Sequence, residues 1–393
     1  MRCLTTSIFR SYRGRGSANA LALGLALRLL HPQRTNGEGY IDFKREWYDE
    51  DHHRVHVDTV AGEGEAKLTA STIARARLVF DSISGASPTG GPPPEGSNQV
   101  PVKELTDIRR GVEVELSQDW GVNNLRPSFA YSIESDYESY GAGYTHSIEL
   151  NQKNTTLTGG VAGTFDRSFP KFIKPDTKKS GDLLLGLTQL LGPTTILTVN
   201  FTTGFSHGYL NDPYKGVHFI DQPVPDKVFQ ERRPRERTKE IGFLALKQYV
   251  TPLQGSGEME YRIYHDSFGM FSHNVRLIWR QKLGKHLLLS PMVRFTKQSA
   301  ADFYVTELPG DPTCPSSNEL CPQVDIPSFY SADYRLSALH TWTCGLKATV
   351  LVTENLSFDI EYKRYAMRGD DHLTSQSAYP SANIVTAGLT LSF

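Results

Sequence analysis

Arginines and carboxylates recur at alternating positions in several segments of this chain, and they are the residues best placed to act on a solute. Charges of both signs on different walls of a water-filled space would create a transverse electric field that orients polar molecules. The competing interpretation is that these charges pair with one another, or with inserted loops, and fill the interior. The candidates for lining such a lumen are Arg262, Arg276, Arg280, Arg294, Glu113, Glu115, Asp359 and Glu361.

A run of metal-binding residue types extends from Asp49 to His53, with His56 close behind. Carboxylates and imidazoles both bind divalent cations. Because side chains alternate in direction along an extended link, a solvated acidic loop explains the run equally well. We therefore predict no metal site and no cofactor.

Four arginines and two glutamates are interleaved between Glu231 and Arg237. At an outer rim, these guanidinium groups could contact the phosphates of lipopolysaccharide through charge-assisted hydrogen bonds. The interleaved glutamates favour a loop whose charges pair among themselves.

No catalytic constellation is apparent from spacing. The segment from Ser84 to Pro88 does not complete the G-x-S-x-G pattern of a nucleophile elbow. His207 and His265 cannot be joined to a serine and an acid from the sequence alone. We predict that the chain is not an enzyme, and a barrel-embedded hydrolase is the least favoured alternative.

The elements that position these residues are predicted to be β-strands. Residues 385–393 alternate apolar with small or polar side chains and end on Phe393. Period-two alternation places the apolar residues on one face of a strand. This ending resembles the C-terminal strand of bacterial outer-membrane β-barrels, so Phe393 is the predicted signal for the barrel-assembly machinery.

Short turns and loop-side links alternate strictly when counted back from Phe393. Turns are predicted near 353–355, 283–285, 251–256, 191–193, 152–154, 121–124 and 68–71. Loop-side links are predicted near 369–380, 306–331, 267–271, 211–236, 168–181, 136–139, 85–104 and 50–53. Long loops at one end only are typical of an outer-membrane barrel.

The predicted fold is therefore all-β: a single antiparallel transmembrane barrel of about sixteen strands over residues 40–393. Its turns would be periplasmic and its long loops extracellular. Segments 54–69 and 236–250 alternate less cleanly, so we expect bulges or misplaced strand boundaries there. Aromatic residues near the predicted strand ends indicate interfacial girdles. The girdle candidates are Trp47, Tyr48, Phe169, Tyr209, Phe268, Phe303, Tyr330 and Tyr365 at the loop side, and Trp120 and Tyr249 at the turn side.

Composition agrees with this fold. The 393 residues are 38% hydrophobic and contain no run of eighteen apolar residues, so no transmembrane helix is encoded. A membrane barrel needs only every second residue to be apolar. The formal net charge of -1 argues against a nucleic-acid partner.

Residues 1–39 are predicted to be a signal peptide and lead-in, because four arginines precede a short apolar core at 18–27. A wrongly assigned start and a mitochondrial-type presequence are the alternatives. In an oxidising compartment, Cys314 and Cys321 of one Pro-rich loop are the predicted disulfide.

Several segments resemble a family of predicted outer-membrane barrels, the domain of unknown function 3570. The matching pieces lie at 81–88, 134–137, 151–155, 264–266, 298–304 and 331–336. The resemblance implies the fold and an outer-membrane location in a Gram-negative-type bacterium, and it carries no established activity.

We accordingly expect a pore or transport channel for small polar solutes, surrounded by outer-membrane lipid and lipopolysaccharide. The alternative is a closed, non-conducting barrel whose extracellular loops bind a partner or a surface polymer.

Overall fold

The computed structural model describes residues 39–219, 227–313 and 325–393. These residues form one closed antiparallel barrel of sixteen strands and a separate two-stranded hairpin. The helices they include are four 3₁₀ turns of three residues each. Among the described residues, no helix has the length and apolar character needed to cross a membrane.

The barrel begins with eight strands that run up and down in chain order. They are β1 (Gly39–Glu50), β2 (Val55–Thr69), β3 (Thr72–Pro88), β4 (Val102–Trp120), β5 (Asn123–Ile133), β6 (Tyr137–Leu150), β7 (Thr155–Ser168) and β8 (Asp176–Gly192). The small hairpin, β10 (Gly216–Phe219) with β11 (Lys227–Gln230), is inserted after the ninth barrel strand. The remaining barrel strands are β9 (Thr195–Gly208), β12 (Glu236–Val250), β13 (Gly255–Asp266), β14 (Phe271–Leu283), β15 (Leu287–Gln298), β16 (Leu339–Leu351), β17 (Leu356–Gly369) and β18 (Ser381–Ser392).

The barrel closes where β18 pairs with β1. At this seam the Gly39 amide donates to the Phe393 carbonyl oxygen at 2.9 Å, and the Phe393 amide donates back to Gly39 at 3.0 Å. A closed sheet leaves no unpaired strand edge, which is the condition for a sheet to sit in a bilayer.

All fifteen predicted links join strands at the predicted end of the barrel. The seven turns define what we call the turn end, and each contains two to four residues. The opposite end, called the loop end, carries four long loops at 89–101, 209–235, 299–338 and 370–380. The predicted fold is therefore confirmed.

The two faces of the wall differ in polarity. The outward face exposes large apolar side chains on every part of the barrel, and the alternate positions carry polar and charged groups. Examples of the outward residues are Val114, Leu185, Phe201, Leu346 and Ile360, which are 45–55% exposed. An apolar exterior around a polar interior is the pattern of a transmembrane barrel.

The expected bulges are only half confirmed. The register between β2 and β3 shifts between Lys67 and Thr69, as expected. In contrast, β12 pairs without interruption with both neighbours and spans Glu236–Val250, so 236–250 contains neither the bulge nor the misplaced boundary that we expected. The alternation is unclear there because Phe243 faces inward, where the Arg262 guanidinium lies 5.4 Å from its ring centre.

The long loops pack together over the loop end into a structure that we call the cap. It comprises 89–101, 209–219, 227–235, 299–313, 325–338 and 370–380. Inward-facing residues at the strand ends, Tyr264, Leu339 and Met367, belong to the same apolar clusters as the cap residues. The cap therefore occupies the loop end of the lumen.

The cap also explains an error in the girdle prediction. Phe268, Phe303 and Tyr330 are 2–8% exposed and lie inside apolar clusters at the cap. The rings of Phe268 and Phe303 meet edge to face at 4.9 Å. These aromatic residues stabilise the packed loops and do not contact a membrane interface. At the turn end, Trp120 is exposed on the outward face as predicted. The prediction is wrong for Tyr249, which pairs in register with Ser256 on the inward face.

Candidate functional site

The lumen is wide because sixteen strands form its wall. With strands about 4.8 Å apart and tilted by about 40°, the backbone cylinder has a radius of about 16 Å. Side chains can fill an eight-stranded barrel, whereas a barrel of sixteen strands leaves an aqueous space. The charges on the wall and the packing of the cap therefore decide what this space can do.

Charged side chains of alternating sign cross β2, β3 and β4 near the turn end. The Arg75 Nε donates to Glu65 at 3.0 Å, and its Nη1 donates to Glu115 at 3.1 Å. Arg77 makes the equivalent pair of bonds one row further from the turns, at 2.8 and 3.3 Å. Four carboxylates surround two guanidiniums, so this group keeps a net negative charge. We call it the acidic wall: Glu63, Glu65, Arg75, Arg77, Glu113 and Glu115.

A second charged group lies on β12 to β15. The Arg276 Nε donates to Glu260 at 2.9 Å. Glu258 lies between two cations, with Lys247 at 3.0 Å and Arg280 at 2.7 Å. Five cations and two carboxylates leave this group with a net positive charge. We call it the basic wall: Lys247, Glu258, Glu260, Arg262, Arg276, Arg280 and Arg294.

The eight predicted lining residues all occupy positions opposite the exposed apolar face, and most are ion-paired. Asp359 contacts Lys347 at 3.0 Å, and Glu361 contacts Lys363 at 3.0 Å. The predicted arginines are therefore not a surface of unopposed positive charge. Each wall keeps an excess of one sign, although most of its charges are paired. The arrangement thus contains both features that the sequence left open, namely charged walls and pairing between the charges.

The cap contains a denser ionic network with Asp333 at its centre. The Asp333 carboxylate accepts hydrogen bonds from Arg233 at 2.8 Å and from Arg335 at 2.8 Å. Arg335 also reaches Asp212 at 2.5 Å, and Arg233 pairs with Glu231 at 2.7 Å. Asp333 and Glu231 are each only 1% exposed. The network therefore joins the 209–235 loop to the 299–338 loop through buried charges.

The pKa values in the network follow from this arrangement. Burial disfavours the Asp333 carboxylate, but Arg335, Arg233 and Lys215 outweigh burial and hold its pKa well below the ordinary value. Partial burial likewise opposes the charge of Arg335, whose pKa is nevertheless raised by Asp333 and Asp212. For Glu231 burial dominates, so its pKa is raised.

Further contacts attach the cap to the barrel. The Lys215 ammonium donates to the Ser87 hydroxyl at 3.1 Å and to the carbonyl of Pro88 at the end of β3. The Arg54 guanidinium donates to the backbone oxygen of Ser377 at 2.6 Å. Tyr214 donates to Asp136 in the link between β5 and β6. The cap is thus held at several points around the rim.

In the metal-type run at 49–56, the three carboxylates contact separate groups. Asp49 contacts His56 at 2.7 Å, Asp51 pairs with Arg364, and Glu50 contacts Arg54 at 3.4 Å. Each of these carboxylates is paired with a different side chain.

An acidic trio that the sequence did not reveal lies at the rim. Asp107, Glu134 and Asp136 place carboxylate oxygens within 4.8 Å of one another. The Asp107 oxygen already accepts from two backbone amides, at 2.7 and 3.1 Å. The trio is therefore partly satisfied by the protein itself.

The arginine-rich segment pairs more widely than predicted. Arg233 contacts Glu231 within the segment, but Arg235 reaches Asp176 at 2.8 Å and Arg237 pairs with Asp266. The carboxylates come from other parts of the loop end, so a loop paired only with itself was an incomplete interpretation.

The remaining candidates are the histidines and cysteines that the sequence singled out. His207 lies 3.2 Å from Glu236 and His265 lies 3.6 Å from Glu240, so each imidazole faces a glutamate. Cys314 and Cys321 lie outside the described residues, as does the predicted signal peptide. Cys344 on β16 is an exposed free thiol.

The family described as "Protein of unknown function (DUF3570)" matches residues 18–172 and 170–393. The chain belongs to this family. The family description assigns no activity, and no curated protein matches the sequence.

Solved structures similar to this DUF3570 barrel include the siderophore receptor PirA from Pseudomonas aeruginosa. PirA has 12% identity and a TM-score of 0.43, and the match covers 91% of this chain and 62% of that one. CdiB from Acinetobacter baumannii has 8% identity and a TM-score of 0.49, covering 90% of this chain and 60% of that one. The outer membrane protein opdK from P. aeruginosa has 8% identity and a TM-score of 0.41, and the match covers 91% of this chain and 99% of that one. The chain spans about three fifths of the first two structures, and likeness at this level says nothing about substrate or partner.

Proposed function

We propose that this chain is an outer-membrane barrel that forms a pore for small polar solutes, and that the cap restricts the pore at its loop end. The observation that carries the proposal is the closed sixteen-stranded wall, which is apolar outside and charged inside. Such a wall is matched to lipid on one face and to water on the other.

The proposal includes the surroundings of the barrel. The exposed apolar band supports contact with outer-membrane lipid. At the loop end, exposed charges such as Arg235 would meet the phosphates of lipopolysaccharide. The closing strand β18 is the segment that we propose for recognition by the barrel-assembly machinery.

Liposome swelling tests the pore directly. Purified protein is reconstituted into vesicles, and the swelling rate is measured with neutral sugars of increasing size. A variant in which residues 216–230 are replaced by a short Gly-Ser linker removes the inserted hairpin of the cap. Heat-modifiable migration in detergent gels confirms that both barrels are folded. We expect the intact protein to pass the smallest sugars and the variant to pass larger ones.

A second candidate is a closed barrel whose cap binds a partner or a surface polymer. The buried network around Asp333 favours it, because buried ion pairs order the loops that would present such a surface. Swelling only with the hairpin-deleted variant would support this closed barrel and overturn the pore. Absence of swelling with both folded proteins would also overturn the pore.

A further inference from the structure

The two charged walls lie directly across the lumen from each other. Strand β3, at the middle of the acidic wall, and strand β13, in the basic wall, are eight strands apart in either direction around the sixteen-stranded ring. Residues at these positions are diametrically opposed. The negative excess on one wall therefore faces the positive excess on the other.

The walls also lie at the same depth. Arg75 and Arg77 are three and five positions from the start of β3 at Thr72. Glu258 and Glu260 are three and five positions from the start of β13 at Gly255. Both strands start at the turn end, so both walls occupy the turn-end half of the lumen, away from the cap.

The strands between the walls contribute little net charge at this depth. On β7 to β9 the inward groups are mainly hydroxyls and amides, including Thr158, Thr188 and Asn200. Beside the acidic wall, the two cations Lys67 and Arg126 exceed the single anion Asp119 by one charge, which leaves the wall with a negative excess. On the other side, Lys347 and Asp359 form a neutral pair. The opposed charges are therefore not cancelled by their neighbours.

We propose that the turn-end half of the lumen selects small zwitterions, which align with their carboxylate toward the basic wall and their ammonium toward the acidic wall. A fixed field of this kind lowers the energy of a dipolar solute relative to a neutral solute of the same size. The proposal deepens the proposed function and rests on it, because only a conducting lumen can select a solute.

Two isomers of one formula provide the probe. Glycine is a zwitterion and glycolamide is its neutral isomer, so the ratio of their liposome swelling rates reports the effect of charge at constant size. The test variant is E113Q/E115Q/R262Q/R294Q. It removes two charges of each sign, which leaves the net charge unchanged. It also keeps the pairs Arg75–Glu65, Arg77–Glu63, Arg276–Glu260 and Arg280–Glu258. The control variant is K347Q/D359N, which removes a neutral adjacent pair.

We expect the glycine-to-glycolamide ratio to fall by about threefold in the test variant and to stay unchanged in the control. An equal ratio in the wild type and the test variant, with glycolamide still permeating, would overturn the zwitterion proposal and leave the pore intact. If neither glycine nor glycolamide permeates through folded wild-type protein, the proposed pore itself is wrong. Heat-modifiable migration of all three proteins verifies that each barrel has folded.

Discussion

The turn-end walls and the cap use the same residue types in different ways. In the walls, ion pairs line an open space, and the Arg77 side chain is 48% exposed. In the cap, Asp333 is 1% exposed and shares two arginines. Exposed pairs contribute at most about 1 kcal/mol, whereas breaking a buried pair costs about 3–5 kcal/mol. The exposed wall charges, such as Arg77, are therefore available to a solute, and the cap charges are committed to holding loops together.

The largest effect is expected from Asp333→Asn. Loss of the carboxylate leaves Arg233 and Arg335 without their shared anion, so the cap should lose about 3–5 kcal/mol of stability. Hydrogen exchange measured by mass spectrometry should show lost protection in 209–219 and 325–338, with the barrel strands unchanged.

The matched control is Asp311→Asn, which removes a carboxylate from the same cap. Asp311 contacts Lys227 at 2.7 Å, and the Lys227 side chain is 45% exposed. We expect a change below about 1 kcal/mol. Equal loss of protection in the two variants would contradict the distinction between buried and exposed pairs.

A smaller effect is expected from acid, because Asp333 in the folded cap keeps its charge to a lower pH than an unfolded carboxylate does. Its folded pKa is well below the unfolded value of about 3.9. Its contribution to stability is therefore complete above about pH 4 and is lost as the pH falls through the folded pKa. Glu231 has the opposite sign: its pKa is raised, so its contribution is lost as the pH rises through that raised value.

Near-UV circular dichroism of the tyrosines in the cap checks this dependence. Between pH 5 and pH 2, the wild-type signal should weaken as the cap loosens, and Asp333→Asn should already be weak at pH 5. A wild-type cap that loosens fully above pH 5 would show that Asp333 does not control it.

The smallest effect is expected from Arg77→Gln in the acidic wall. The substitution removes contacts to Glu63 and Glu113, but all three side chains reach water. The free energy of unfolding should fall by less than about 1 kcal/mol, measured by urea unfolding in lipid vesicles. A loss as large as that for Asp333→Asn would mean that the wall charges are structural.

The barrel could be predicted from sequence because the patterns that specify it lie within single strands and the links between them. Alternation along each strand assigns the faces, and the order of turns and loops assigns the ends. The prediction failed in β12, where Phe243 faces the lumen beneath Arg262 and obscures the alternation. An inward aromatic residue cannot be distinguished from an outward one when only the pattern is known.

The cap could not be predicted because its contacts join distant parts of the chain. Arg233 and Asp333 are one hundred residues apart, and Lys215 reaches Ser87 across 128 positions. The segments that carry these residues were visible as a charged run and as Ser331–Leu336, but nothing local indicates that they meet. The opposition of the two walls was likewise hidden, because it depends on the closure of sixteen strands.

Single-channel conductance most directly tests the claim that a packed cap limits a charged, water-filled barrel. Intact protein and the variant with residues 216–230 replaced are inserted into the same planar bilayer. We predict small conductance steps for the intact protein and severalfold larger steps for the variant. Steps of equal size in the two proteins, or no steps in either folded protein, would contradict the account.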